Sequence, residues 1–447
     1  MPIRDVVLTL AFVGLLPVCV ARPWIGVLVW CWLGFMNPHR LTWGFSAQLP
    51  FAFMAGIATL VGLVFTNERK PFIWNVATGS LLALWIWFTV TSLFALYPPD
   101  AWTQWNRVSK ILLMVFASVF LVQDRRKLRL LLLVIAGSIG FYGLRGGIFA
   151  LRTGGVTTLE GVPGSSFISS NNDFALALNM CLPLFLVLAR EERRPWLRAL
   201  LYATFFFSIV AVLFTYSRGG FLGLLAVLAV LFLNRKSFLY ALAAASVVYI
   251  AAFYFAPPRW TARMETIETY EADRSAQMRL IAWRVGRMLA ADRPLVAGGF
   301  AAFNQETFDR YAPDYPGGSY GDAHSIYFNL LGEHGYPGLL LFSVLVGFLL
   351  VRLAKLRRLA KKSADLAWVS SYAHMLQASI VAYLVTGAFL SVAYFDLAYQ
   401  LFIIAVILDR LAAQEISTPA PPPEPALPPE PAPAALAARL VHVGARL

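Results

Sequence analysis

The feature that most constrains this chain is a train of apolar runs, near 6–36, 50–66, 72–96, 111–122, 128–150, 172–189, 197–215, 220–233, 238–256, 325–352, 368–391 and 396–409. Each is long enough, or nearly so, to cross a bilayer as a helix of about 20 residues. A helix is the open-chain element that satisfies its own backbone in lipid, so the runs predict an all-α polytopic membrane protein. Composition agrees: 59% of the 447 residues are hydrophobic and 14% are charged, which is not the balance of a soluble globular chain. The first run holds Pro17 and Pro23 and reads either as one kinked crossing or as a hairpin of two short ones.

The formal net charge of +13 acquires meaning once it is divided between the two sides of the membrane. Short loops around Glu68–Lys70, Asp124–Arg129, Arg190–Arg198, Asn234–Lys236 and Lys355–Lys362 are basic and alternate with the others. Excess Lys and Arg keeps a loop in the cytoplasm, so segments 37–49, 97–108, 151–171, 216–219, 257–323 and 391–396 face outward, which in a bacterium is the periplasm. This basic charge orients the protein in its bilayer and gives no reason to invoke nucleic acid. An N-terminus in the cytoplasm requires the first run to cross an odd number of times, and about 12 transmembrane helices with both ends inside are expected.

Four regions follow: transmembrane helices over 1–256, a large helical periplasmic loop over 257–323, further transmembrane helices over 324–412, and a tail over 413–447. The tail is rich in Pro and Ala and predicts a disordered cytoplasmic segment. Arg4 precedes the first apolar run and no convincing small-residue cleavage site follows, so that run reads as a retained anchor. Cys19, Cys31 and Cys181 lie in or beside apolar runs without metal or redox spacing, and read as small buried hydrophobes.

Some cations break the orientation rule. Arg107, Lys110, Arg145, Arg152 and Arg218 fall at the outer ends of spans, and Arg259, Arg263, Arg274, Arg279, Arg284 and Arg287 fall in the large outer loop. One such arginine can simply snorkel to lipid phosphates, whereas a set converging on one face favours a bound anion. Arg218 sits in TYSRGG, a turn between two apolar runs, with Gly219 and Gly220 opening the next helix. That placement suits close backbone approach to an anion at a helix N-terminus. A helix is predicted over Ser275–Ala290, capped by Ser275 or Asp273. Arg279, Trp283 and Arg287 recur on one face, and the helix would lie on the membrane surface or over a cleft. Two guanidiniums so spaced can clamp a diphosphate, although an interfacial helix without a ligand has the same pattern.

Of the five histidines, His39, His334 and His374 read as packing or interface residues and His442 lies in the tail. His324 stands just before an apolar run on the outer side, two residues after Asp322, where a carboxylate can orient an imidazole that acts as general base; a histidine at a helix entry looks the same. Metal-binding, Walker and nucleophile-elbow motifs are absent from the sequence, and no cofactor is called for.

TYSRGG, then Arg279-x-x-x-Trp283, then PLVAGGFAAF (Pro294–Phe303), then HSIYFNLLGEHGYPG from His324 resemble, in order and spacing, the O-antigen ligase/polymerase superfamily. The resemblance covers roughly 170–345 in motif, and the N-terminal third looks more like the branch described as O-glycosylation ligases. It implies a metal-independent, inverting glycosyltransferase of the C-type membrane fold in the bacterial inner membrane, with its active site facing the periplasm. Such enzymes move a glycan from undecaprenyl diphosphate to an acceptor, which for the ligases is a sugar hydroxyl of the lipid A core oligosaccharide.

Carried onto this chain, the resemblance gives Arg218 and Arg279 to the diphosphate and His324 to the acceptor hydroxyl. Arg287 and Arg145 are further candidates for the diphosphate, and Asp322 and Trp283 are supporting residues. Ala297-Gly298-Gly299 departs from the usual Gly-x-Gly of the family. A polysaccharide polymerase and a protein O-oligosaccharyltransferase share the donor chemistry. A transporter of lipid-linked sugars would instead place charges at mid-membrane, where these runs are nearly free of them, and an assembly scaffold would leave Arg218, Arg279 and His324 without a role.

Overall fold

The computed structural model describes residues 3–42, 44–66, 73–162, 168–232, 274–313, 321–361 and 365–417. Its α-helices are α1 (Ile3–Ala21), α2 (Pro23–Met36), α3 (Phe51–Phe65), α4 (Val76–Leu93), α5 (Pro98–Leu121), α6 (Arg125–Thr153), α7 (Asn171–Glu191), α8 (Pro195–Phe214), α9 (Arg218–Phe232), α10 (Arg274–Asp292), α11 (Gln305–Tyr311), α12 (Ile326–Ala360), α13 (Ala367–Gly387) and α14 (Asp396–Ser417). There is no strand among the described residues. The local chemistry of the starts is regular. Proline opens α2, α5 and α8, where its missing N–H removes no helical bond. Asn75, Asp124 and Ser170 cap α4, α6 and α7 through their side chains, and Asn75 and Thr78 do so reciprocally.

The protein is a multi-pass membrane protein. Helices α1, α4, α6, α7, α8 and α12 are long and apolar enough to cross a membrane, and α2, α3 and α9 are shorter apolar helices. Against the twelve crossings expected, these six long and three short helices are the apolar ones among the described residues. Helices α5, α13 and α14 have the length but dilute their apolar stretches with polar side chains such as Gln104, Gln377 and Gln400. The run at 238–256 lies outside the described residues, as do Arg259, Arg263 and the tail from 418. The side chain of Arg274 is also outside them.

The expected odd number of crossings in the first run is corrected. Helices α1 and α2 form a hairpin broken at Arg22, and Asp5 at the start of α1 accepts hydrogen bonds from Ser46 N–H (3.0 Å) and Ser46 Oγ (2.8 Å). Ser46 belongs to the 37–49 segment that follows α2, so the start of α1 shares that side rather than the side of the basic loops. A buried carboxylate requires donors, and Ser46 supplies two of them, both to Oδ1.

Two of the basic loops, 124–129 and 190–198, are held together at the other end. Arg125 pairs with Glu191 at 3.1 Å, Arg129 pairs with Glu192 at 2.8 Å, and Arg410 donates to the Val122 carbonyl at 2.6 Å. Between the two ends, α7 is buried from Phe174 to Ala189 and is flanked by α6, α8, α9 and α13. At the end opposite the basic loops, a separate small core gathers Ala282, Val285 and Leu289 of α10 with Phe303, Phe308 and Ala323. This core ties α10 to α12 and leaves a cleft beside it.

Candidate active site

The site is built on a broken helix. Helix α12 is interrupted at Gly335 (φ 67°, ψ −170°), and Pro337 follows. A break frees carbonyls that the next turn would otherwise satisfy. Each finds another donor: Gly298 N–H bonds to the Gly332 carbonyl (3.0 Å), Gly299 N–H to the Glu333 carbonyl (2.8 Å) and Trp87 Nε1 to the His334 carbonyl (2.9 Å). A Cβ on Gly299 would lie 2.4 Å from Ala95 Cβ, and Gly299 is also left-handed at φ 75°, so only glycine suits this position. The strip 294–299 is thereby laid against the break, and the chain after it is pinned at Ala301.

Just before α12, the segment from Gly321 to Ser325 carries His324. Its backbone N–H donates to Ser391 Oγ at 3.1 Å, and Ser391 Oγ lies 3.4 Å from His324 Nδ1. Trp283 of α10 donates its indole N–H to the Ala323 carbonyl at 2.8 Å and stacks on Phe328 with ring centroids 4.9 Å apart. Those contacts fix α10 beside His324 and bring Arg279, one turn earlier, within electrostatic range of it. Asp322 lines a cavity and His324 is exposed beside it, yet the surrounding protein disfavours their charged forms. Desolvation lowers the imidazole below its ordinary pKa of 6.5, the Arg279 charge lowers it further, and Asp322 partly opposes both. The Asp322 carboxyl is raised by desolvation, with His324 and a hydrogen bond from Ser391 acting the other way. At neutral pH His324 is therefore an uncharged imidazole able to accept a proton.

Backbone strain concentrates here. Tyr216 (φ 53°), Ala297 (45°), Ala301 (59°) and His324 (46°) all adopt the left-handed conformation, which costs a non-glycine residue about 1–2 kcal/mol. Surrounding contacts must hold such geometry, and sites that require a fixed orientation are where it persists.

A cavity of about 410 Å³ is lined by Asp100, Arg107, Asp173, Asp322 and Glu333, together with Thr103, Gln104, Asn329, Ser391 and Tyr394. Five separate segments supply these groups, and among the described residues no three acidic, His or Cys side chains converge as metal ligands. Behind Glu333 runs a buried chain of hydrogen bonds. Ala301 N–H donates to one carboxylate oxygen at 2.9 Å and Tyr394 OH donates to the other. His334 Nε2 lies 2.7 Å from Tyr394 OH, and His334 Nδ1 lies 2.7 Å from Thr91 Oγ1. With the Tyr394 proton given to Glu333, the His334 Nε2–H donates to Tyr394, while Thr91 Oγ1 also reaches the Phe88 carbonyl at 3.1 Å.

Arg218 opens α9. Ser217 donates to Asn172 Oδ1 at 2.6 Å, which fastens this turn next to Asp173 of the cavity wall. The glycines after Arg218 serve helix packing: Gly220 faces Ala175 and Gly219 faces Phe389. Arg287 is exposed on α10, two turns beyond the half-buried Arg279. Arg145 lines a different cavity, with Arg4 and Arg40. Thus His324, Asp322, Arg279 and Trp283 come together, the turn that carries Arg218 is fastened to α7 next to Asp173, and Arg145 lines another cavity.

Residues 203–343, which hold TYSRGG, α10, the 294–303 strip and His324, match the family model described as O-antigen ligase. That segment, about a third of the chain, is similar to the O-antigen ligases. Residues 3–193 match a second model, described as a family of unknown function, and no curated protein matches the chain. The cavity draws on both matched segments, since Asp100, Arg107 and Asp173 lie within 3–193 and Asp322, Asn329 and Glu333 within 203–343. Glu333, Tyr394 and Asp173 were not singled out from the sequence, and His334, read there as a packing or interface residue, is buried against Phe88 and Phe300. A signal existed only for Glu333 and His334, adjacent polar residues inside an apolar run, where buried polar side chains require partners.

Proposed function

We propose that the protein is an O-antigen ligase that transfers a glycan from undecaprenyl diphosphate to a sugar hydroxyl of the lipid A core, at the periplasmic face of the inner membrane. The observation that carries this reading is the uncharged, strained His324 held beside Arg279 at the edge of a carboxylate- and amide-lined cavity, inside the ligase-matched segment. Carboxylates and amides are hydrogen-bond acceptors for sugar hydroxyls, so the cavity suits the acceptor glycan. His324 accepts the proton of the attacking hydroxyl as the oxygen closes on the anomeric carbon. The bond from that carbon to the diphosphate breaks with its electron pair on the leaving oxygen, where Arg279 and Arg218 balance the developing charge without a metal. A single displacement inverts the anomeric centre. Asp322 and Ser391 set the imidazole orientation, and Trp283 holds Arg279 in register.

The test is transfer by purified protein from a polyprenyl-diphosphate glycan to lipid A core in EDTA, with His324→Ala and Arg279→Ala alongside. Transfer that survives EDTA and is lost in both variants is the expected result. Glycan growth on the donor alone would make the protein a polymerase, and transfer to neither would overturn the reading.

A further inference from the structure

We propose that the cavity lined by Arg4, Arg40 and Arg145 binds the phosphate headgroup of a membrane amphiphile. The cavity, about 610 Å³, shares no lining residue with the candidate active site. Adjacent residues of α7 divide the two, with Asp173 lining one and Phe174 the other. Its three guanidiniums come from the start of α1, the segment after α2 and the end of α6, and Glu160 is the one carboxylate in the lining. Their convergence follows from the fold. The Asp5–Ser46 hydrogen bonds place Arg4 against the 37–49 segment, and Tyr142 donates to the Met36 carbonyl, which docks α6 on the end of α2.

The remaining lining is apolar and graded. Phe174 and Leu159 form a buried floor, whereas Phe141 and Phe149 are 39% and 45% exposed. Phe141, Arg145 and Phe149 recur every fourth residue along one face of α6, so a cation stands between two exposed rings on a helix long and apolar enough to span the membrane. Three arginines that merely snorkel would diverge toward separate lipid phosphates, whereas these share one cavity. Guanidiniums bind phosphate oxygens in bidentate fashion, and the aromatic lip offers a surface for the chain that follows the headgroup.

The experiment is binding of short-chain phosphatidic acid to the full-length protein in neutral detergent, read by native mass spectrometry. Inorganic phosphate and the matching phosphatidylcholine serve as comparators. Saturable binding of phosphatidic acid is expected, at least about tenfold tighter than either comparator and about tenfold weaker for each arginine removed in Arg40→Ala and Arg145→Ala. Unchanged binding in both variants, or equal binding of phosphatidylcholine, would overturn recognition of the charge. Equal binding of inorganic phosphate would overturn the amphiphile. Should a variant fail to fold, a photoreactive acyl chain on phosphatidic acid decides with wild-type protein: labelling within 141–161 is expected, and labelling confined elsewhere overturns the site. Binding is read without transfer, so failure here leaves the ligase reading intact, and an inactive protein leaves this test intact.

Discussion

Two cavities, divided by the adjacent residues Asp173 and Phe174 of α7, are opposite in charge. The first is walled by Asp100, Asp173, Asp322 and Glu333 with Arg107 as its cation, and the second by Arg4, Arg40 and Arg145 with Glu160 as its anion. The first is also where strained backbone gathers, at Ala301 and beside it at Ala297 and His324, whereas the second is lined by ordinary helix faces and one loop. On the proposed reading, fixed orientation is needed where a proton and a glycosyl group move, and charge alone suffices where a headgroup is held. The pair teaches that the abundant outer cations of this chain are not one site. Arg279 belongs with His324, and Arg145 belongs elsewhere.

Substitutions can break this division. His324→Ala should lower the turnover rate by roughly 10²–10⁴-fold, the usual worth of a general base, while binding of phosphatidic acid stays at the wild-type level. Arg279→Ala should lower turnover by about 10²–10³-fold, as loss of one charge-stabilising donor does, again without effect on phosphatidic acid. If either variant weakened phosphatidic acid binding as much as Arg145→Ala does, the two cavities would act as one.

Tyr394→Phe should cost about 1–3 kcal/mol in thermal unfolding, because it strips partners from both Glu333 and His334. An unchanged melting temperature would mean that the buried chain does not hold the cavity wall. Measured against pH, turnover should be level around neutrality and fall in acid as His324 takes up a proton, with a midpoint below its ordinary 6.5. Asp322→Asn removes the influence that raises the imidazole and should move that midpoint lower still; a midpoint that stays in place would remove Asp322 from the base. The smallest effect expected is at Ala297, left-handed at φ 45° and fully buried. Ala297→Gly should stabilise the fold by about 1 kcal/mol, seen as a melting temperature a few degrees higher.

Much of the architecture was legible in the sequence. The apolar runs mark helices, the helix expected over Ser275–Ala290 is α10, and the motif residues His324, Arg279 and Trp283 do meet. The break at Gly335 was not legible, since Gly and Pro within an apolar run also occur in unbroken membrane helices. Nor was the role of Glu333 and His334, because their partners lie at Ala301, Tyr394 and Thr91, on other segments.

The sequence by itself determined that the chain is helical and membrane-embedded and that its unusual cations collect at one end, because hydropathy, caps and charge act over a few neighbouring residues. Tertiary structure alone decided how those cations divide. Asp5 found its donors at Ser46, turned the first run into a hairpin and carried Arg4 across to Arg40 and Arg145. Sequence pattern fixes what each helix exposes, while the pairing of buried polar groups across distant segments fixes which exposed faces come to share a cavity.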